Sequence, residues 1–203
     1  MQPFRSVTGL AAPLLWANVD TDMIIPVQRL VGATRDGLGP HGFERFRGRP
    51  DFPLDKPPFR GAPILLAGPN FGCGSSREGA VWALLGMGIR CVIAPGFGDI
   101  FHANCFQNGM LPVRLPEEVI RRIAAAMEAS PGNARVTVDL DRQVVVTPWG
   151  EALPFAVDAR KREALLSGLD EIAQTLRRAE EIAAWQARDR QARAWAWDSV
   201  AQG

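Results

Sequence analysis

The sequence predicts an α/β domain built on a largely parallel sheet. Three observations predict it. Short apolar runs of four or five residues alternate with helical segments between residues 63 and 129. A glycine-rich turn joins the first of these runs to a helix. The chain, at 203 residues, is long enough to bury a core without disulfide staples. Such alternation is the pattern of parallel strands covered by crossover helices.

Residues 1–26 hold short apolar runs, including Leu14-Leu15-Trp16, followed by a polar segment and the run Ile24-Ile25-Pro26. Residues 32–63 are punctuated by glycines and prolines and read as a long, mostly irregular loop, a type that is usually functional or mobile. Ile64-Leu65-Leu66-Ala67 is a candidate buried strand. A turn from Gly68 to Gly74 leads into a helix expected over about Ser75–Leu85, where Ser75 and Glu78 match a capping box. The next strand spans Arg90–Ala94 and stops at Pro95. A short helix follows near Ile100–Phe106 and ends at the Asn108-Gly109 turn. Leu111–Leu115 is a third strand, and Glu117–Ala129 a helix ahead of Pro131-Gly132. Val136–Leu140 and Gln143–Val146 read as a hairpin. Residues 159–197 are helical, with Leu165, Leu169, Ile172 and Leu176 at helical spacing and a break at Gly168. The whole is read as one domain over 1–203, with a core over about 1–158 and a helical extension over about 159–203.

Charge excludes several classes of function. Lys and Arg total 23 and Asp and Glu 22, a net charge of +1. That balance gives no footprint for nucleic acid or an acidic membrane surface. No apolar run approaches the ~18 residues of a membrane span. The first residues lack a basic region followed by an apolar stretch, so no secretory signal is expected. Cys73, Cys91 and Cys105 are an odd number without a CxxC pair, which fits a reducing, cytoplasmic setting. With His41 and His102 far apart in sequence, no zinc or iron–sulfur cluster is expected on this chain.

The chemistry concentrates in Gly68-Pro69-Asn70-Phe71-Gly72-Cys73-Gly74-Ser75-Ser76-Arg77-Glu78. Glycines let the backbone bend tightly and admit a ligand. A helix start offers unpaired N–H groups and partial positive charge. Two hydroxyls and an arginine complete an anion-binding device. A phosphate loop would carry GxxxxGK[ST], and a dinucleotide loop GxGxxG. Here no lysine is present and Arg77 stands at the third glycine, so a carboxylate fits better than a phosphate. The plain structural alternative is a capped helix whose turn merely fits. The second segment, Asn18-Val19-Asp20-Thr21-Asp22-Met23-Ile24-Ile25-Pro26, is thin as a metal site, since Ca²⁺ takes six or more oxygens. An Asx-turn and helix cap explain it as well.

Together these segments resemble the small subunit of 3-isopropylmalate dehydratase, the detached swivelling domain of the aconitase superfamily. Residues 18–26 match its Asn-(Val/Ile)-Asp-Thr-Asp-x-Ile-Ile-Pro pattern, and residues 70–78 its Asn-Phe-Gly-Cys-Gly-Ser-Ser-Arg-Glu pattern. Further matches are Trp82-Ala83-Leu84, Val92-Ile93-Ala94-Pro95, Asp99-Ile100-Phe101, Asn108-Gly109 and Leu166–Ile172. Two stretches depart: Gly79-Ala80-Val81 stands where the family usually has His-Ala-Pro, and Gly96-Phe97-Gly98 where it often has Ser-Phe-Ala.

The resemblance implies an aconitase-like swivelling β/β/α fold with a mostly parallel central sheet, flanking helices and a C-terminal helical extension. It implies a hydro-lyase that isomerises 2-isopropylmalate to 3-isopropylmalate in leucine biosynthesis, by loss and return of water. It implies Ser75 as the base, with Ser76 and Arg77 on a substrate carboxylate. Gly74, Thr21 and Asp22 stand at the same site. A loop over about Val27–Arg35, including Arg29, Leu30, Val31 and Arg35, selects the substrate. It also implies a large-subunit partner that carries a [4Fe-4S] cluster, with no cofactor on this chain and no activity from the chain alone. The Gly79 departure keeps two alternatives open: a sister hydratase of the methylmalate/citraconate or dimethylmaleate type, and a non-catalytic anion-binding domain.

Overall fold

The computed structural model describes residues 1–32 and 34–197. These form two compact units, Met1–Gly168 and a second that begins at Leu169. The division falls at Gly168 and not near residue 159. Helix α5 (Ala159–Ser167) therefore belongs to the first unit. Leu165 is fully buried there, and its carbonyl accepts from the Phe4 N–H at 2.8 Å. Ala33 and the last six residues of the expected extension lie outside the described residues.

A four-stranded parallel sheet is the centre of the first unit. Its strands are β2 (Ala11–Leu14), β3 (Ile64–Ala67), β4 (Cys91–Ala94) and β5 (Leu111–Arg114), adjacent in that order. β2, β3 and β4 are buried along their whole length, because helices and loops cover both faces. Hence they read as continuous apolar runs, not alternating ones. The crossovers β3–α2–β4 and β4–α3–β5 carry α2 (Glu78–Gly86) and α3 (Asp99–Asn108). Connections of this kind are right-handed, which sets successive helices on one face, and α2 and α3 do contact each other. Helix α4 (Glu117–Ala129) packs across β2, β3 and β4 through Ile120, Ile123, Ala124 and Met127, a single helical stripe.

The hairpin expected over residues 136–146 is the middle of a second, antiparallel sheet. β6 (Val136–Asp139) and β7 (Val144–Val146) are flanked by β1 (Ser6–Gly9) and β8 (Ala152–Pro154) in the order β1-β6-β7-β8. Val136, Val138 and Val145 point inward while their neighbours are part-exposed. Only Leu10 separates β1 from β2, so one stretch of chain serves both sheets.

The 32–63 region is irregular yet firmly packed. It is a series of short 3-10 turns whose Leu38, Phe43, Phe52, Leu54 and Phe59 are buried. Phe43 and Phe52 lie 5.6 Å apart between ring centres, and Trp16 meets Phe46 at 5.2 Å. Of the two readings of this loop, functional or mobile, neither is decided by its conformation, which is that of a segment packed through its aromatics.

In the second unit, α6 (Glu171–Leu176) is capped by Asp170, whose side chain accepts from the Ala173 N–H at 2.7 Å. Helix α7 (Ala179–Ala192) follows, and Trp197 donates to Asp189 at 3.0 Å. Among the described residues no helix is long and apolar enough to cross a membrane.

Candidate active site

The two sequence segments meet at the carboxyl ends of β2 and β3, where open α/β sheets place their ligands. They are laced backbone to backbone. Asn18 donates to the Pro69 carbonyl at 2.9 Å, Gly72 to Val19 at 2.7 Å and Thr21 to Cys73 at 3.0 Å. The Asn70 amide reaches the Asn18 side-chain carbonyl at 2.9 Å. The segment after β4 joins them: Phe71 donates to Gly96 and Gly98 to Phe71. Asp20 caps α1 (Thr21–Ile24) by accepting from the Met23 N–H at 2.7 Å, so the cap reading of this carboxylate holds. Thr21 is buried, and its hydroxyl donates to the Ser75 carbonyl at 2.9 Å.

The helix expected from Ser75 begins three residues later. Arg77 is the N-cap of α2 and no side-chain bond closes that end. The capping box does not form, because Glu78 is engaged elsewhere: its carboxylate accepts from Asn108 Nδ2 at 2.8 Å. Gly74 has φ +89°, a left-handed conformation open to glycine at little cost. It turns the chain so that Gly74, Ser75 and Ser76 are exposed. Neither serine hydroxyl makes a hydrogen bond among the described residues.

Arg77 lies beneath this rim with its side chain 15% exposed, in an ion pair with Asp22. Its buried Nη1 meets no hydrogen-bond acceptor beyond that ion pair. The Arg77 hydrogen bond and charge, aided by the Val27 N–H and Arg45, hold the Asp22 carboxyl below its ordinary range against the opposing effect of desolvation. Asp22 is therefore ionised at neutral pH.

The structure thus brings Thr21, Asp22, Gly74, Ser75, Ser76 and Arg77 to one place. It treats the loop residues differently. Arg29 is turned to Glu44, its Nε 2.8 Å from a carboxylate oxygen that His41 also approaches at 3.3 Å. Arg35 donates to the Asn108 carbonyl at 3.2 Å. Leu30 rests on α2 over Gly79, where a Cβ would come within 2.4 Å of its Cδ2. Val31 is 85% exposed.

Sequence reasoning took Asn108 for a turn residue only. The structure buries it with a full set of partners. It accepts from Trp82 Nε1 at 2.8 Å and donates to Glu78 and to the Asn104 carbonyl at 2.9 Å. A buried amide needs such partners, but the sequence does not name them.

The thiols and His102 lie apart from this chemistry. Cys91 and Cys105 are fully buried and burial pushes both thiols up, while Cys73 is part-exposed. His102 packs edge-on to Phe106. Burial, with Arg114 and Lys161 nearby, brings it down to about 4. Among the described residues no three His, Cys, Asp or Glu side chains converge as metal ligands.

The family model of the aconitase C-terminal domain matches residues 1–118, and a second model, LeuD_N, matches residues 121–159. The 3-isopropylmalate dehydratase small subunit of Rhodospirillum centenum is 52% identical over 97% of this chain and 99% of that relative. The chain belongs to the 3-isopropylmalate dehydratase small-subunit family. A small subunit of the same name from Granulibacter bethesdensis is 54% identical over 90% of this chain and 89% of that relative. The crystal structure of 3-isopropylmalate dehydratase from Methanocaldococcus jannaschii superposes with a TM-score of 0.64 at 27% identity, covering 89% of this chain and 99% of that one. At Gly79 the space that a side chain would take is occupied by Leu30.

Proposed function

We propose that this chain is the small subunit of a hydro-lyase that isomerises 2-isopropylmalate to 3-isopropylmalate in leucine biosynthesis. A large subunit closes over its Ser75–Arg77 turn. One observation carries the reading: two unbonded hydroxyls stand on an exposed rim above an arginine already held in place by Asp22. The names borne by its relatives favour this substrate over the methylmalate/citraconate or dimethylmaleate alternatives, and over a non-catalytic role. Free thiols at Cys73, Cys91 and Cys105 support a cytoplasmic setting.

The reaction needs a base at the carbon beside a carboxylate, a cationic anchor for the charge that builds there, and a Lewis acid for the departing hydroxyl. Ser75 is the base. Asp22 steadies Arg77, leaving the rest of its guanidinium to take a substrate carboxylate. Ser76 adds a hydroxyl donor to that carboxylate. Thr21 fixes the Ser75 peptide, and Gly74 provides the bend. Two of the three thiols of this chain, Cys91 and Cys105, are fully buried in the core, and on this reading the cluster belongs to the partner. A [4Fe-4S] cluster on the large subunit would supply the Lewis acid.

The test is co-expression with the candidate large subunit under anaerobic conditions, comparing kcat/KM for 2-isopropylmalate, methylmalate and the hydrate of dimethylmaleate. Isopropylmalate is expected to lead. Ser75→Ala is expected to abolish turnover while subunit assembly survives. A near-normal rate in that variant removes Ser75 from the mechanism, and turnover by the isolated chain removes the need for a partner.

A further inference from the structure

We propose that Asn108 is a positioning residue that locks the catalytic turn and the 34–38 segment to a single point on α3; the proposal rests on the reading of Ser75–Arg77 as the site. The turn has no cap of its own, since no side-chain bond closes the start of α2. Thr21 holds its near side through the Ser75 carbonyl. On the far side the first anchor is Glu78, and Glu78 is held by Asn108 Nδ2 at 2.8 Å.

Asn108 is itself fixed. It is 4% exposed. Trp82, one helical turn beyond Glu78 on the same face of α2, donates to its side-chain oxygen. Its second amide hydrogen goes to the Asn104 carbonyl. Both donors and the side-chain acceptor are thereby occupied, and an amide in that state has one orientation. Its backbone carbonyl accepts from Arg35, which ties the segment leading away from Leu30 to the same residue. The other end of α3 is bonded to the turn as well, through Gly98 to Phe71. Helix α3 therefore grips the turn at both ends, and Asn108 makes the grip nearer to Ser75 and Arg77.

The consequence is kinetic. A loosened Glu78 leaves the substrate groups in place on average but less well aimed. Loss of aim appears in kcat more than in KM. In the reconstituted complex, Glu78→Ala and Trp82→Phe are expected to lower kcat by roughly tenfold or more, with KM within about twofold. Glu78→Gln keeps an oxygen to accept from Asn108 and is expected to restore most of kcat. Amide hydrogen exchange on the purified chain supplies a readout independent of turnover: residues 74–80 are expected to exchange faster in Glu78→Ala and not in Glu78→Gln. Wild-type kcat in Glu78→Ala overturns the proposal, as does unchanged exchange. Equal damage from Gln and Ala overturns it too, because charge and not the Asn108 bond would then be at work. Ser75→Ala run alongside separates the two readings. Full activity there, with faster exchange in Glu78→Ala, fails Ser75 as the base and leaves the mechanical link standing.

Discussion

Gly79 and Gly86 stand seven residues apart on α2, and they leave room for Leu30 and Gly39 respectively, which a side chain would obstruct. They differ in what obstructs. A Cβ at Gly79 would lie 2.4 Å from Leu30 Cδ2, the far end of a flexible and half-buried side chain. A Cβ at Gly86 would lie 2.7 Å from the Gly39 Cα and 2.8 Å from its nitrogen, which are backbone. Ordinary carbon contacts fall at about 3.5–4.0 Å, so each substitution demands a shift of roughly 1 Å. Glycine to alanine in a helix gains up to ~1 kcal/mol, the same bonus for both. At Gly79, Leu30 can swing out. A full Leu burial is worth ~1.5–3 kcal/mol, so giving up about half of it costs ~1 kcal/mol and the net change is close to zero. At Gly86 the backbone cannot yield cheaply. Overpacking costs ~1–3 kcal/mol, and with Leu38 fully buried beside Gly39 the upper end applies, a net loss of ~2 kcal/mol. Urea unfolding of the two alanine variants reads this directly as a fall in midpoint at unchanged slope. Equal midpoints, or Gly79→Ala the weaker of the two, would refute the distinction between side-chain and backbone contact. The same logic predicts that histidine at position 79 requires Leu30 to leave its seat.

Two further outcomes follow from burial. A thiol reagent at neutral pH is expected to modify Cys73 in the folded chain, and Cys91 and Cys105 only on unfolding, as mass spectrometry of labelled peptides would report; early labelling of Cys91 would contradict its place in β4. His102 has a folded value of about 4 against an ordinary 6.5, so between those values the unfolded chain binds the extra proton. Stability therefore falls as pH drops through that window and levels off below it. His102→Phe is expected to flatten the pH dependence of the urea midpoint between pH 7 and 4.5, and an unaltered slope would show that His102 is not the group responsible.

Much of this architecture is legible from residue order alone, and the illegible parts share one cause. Ile64–Ala67, Cys91–Ala94 and Leu111–Arg114 announce themselves because strands covered on both faces are apolar throughout. Helix α4 does so because its four buried residues keep one helical period. By contrast β1 and β8 have four and three residues and are largely solvent-facing. Their strand character comes from partners far along the chain, such as Ser6 opposite Asp139. The start of α2 is misread for the same reason. Ser75 and Glu78 spell a capping box locally, but Asn108, thirty residues beyond Glu78, takes the carboxylate that the box requires. At the site, the grouping of two hydroxyls and an arginine in the turn is readable from its residue types. That Arg29 is turned to Glu44 and that Leu30 lies on Gly79 follow only from the packing.

On the proposed reading of Ser75 as the base, its release from the cap also changes what must activate it. Were Ser75 the first residue of a helix, the helix dipole could lend it up to ~2 kcal/mol, or ~1.5 pKa units. With α2 beginning at Glu78, the hydroxyl lies outside the turn over which that effect is felt, and its share is smaller still. Arg77, two residues on, is in an ion pair with Asp22, which cancels much of the field that its guanidinium would lend to an alkoxide. Exposure of the rim to water dilutes the remainder. A substrate carboxylate that draws Arg77 away from Asp22 does not help, since it replaces one anion by another. What remains, on the proposed reading, is the exclusion of water when a second subunit covers the turn. On the proposed reading, an exposed and uncapped Ser75 is a weak base until a second subunit encloses it, and the isolated chain is expected to show no turnover.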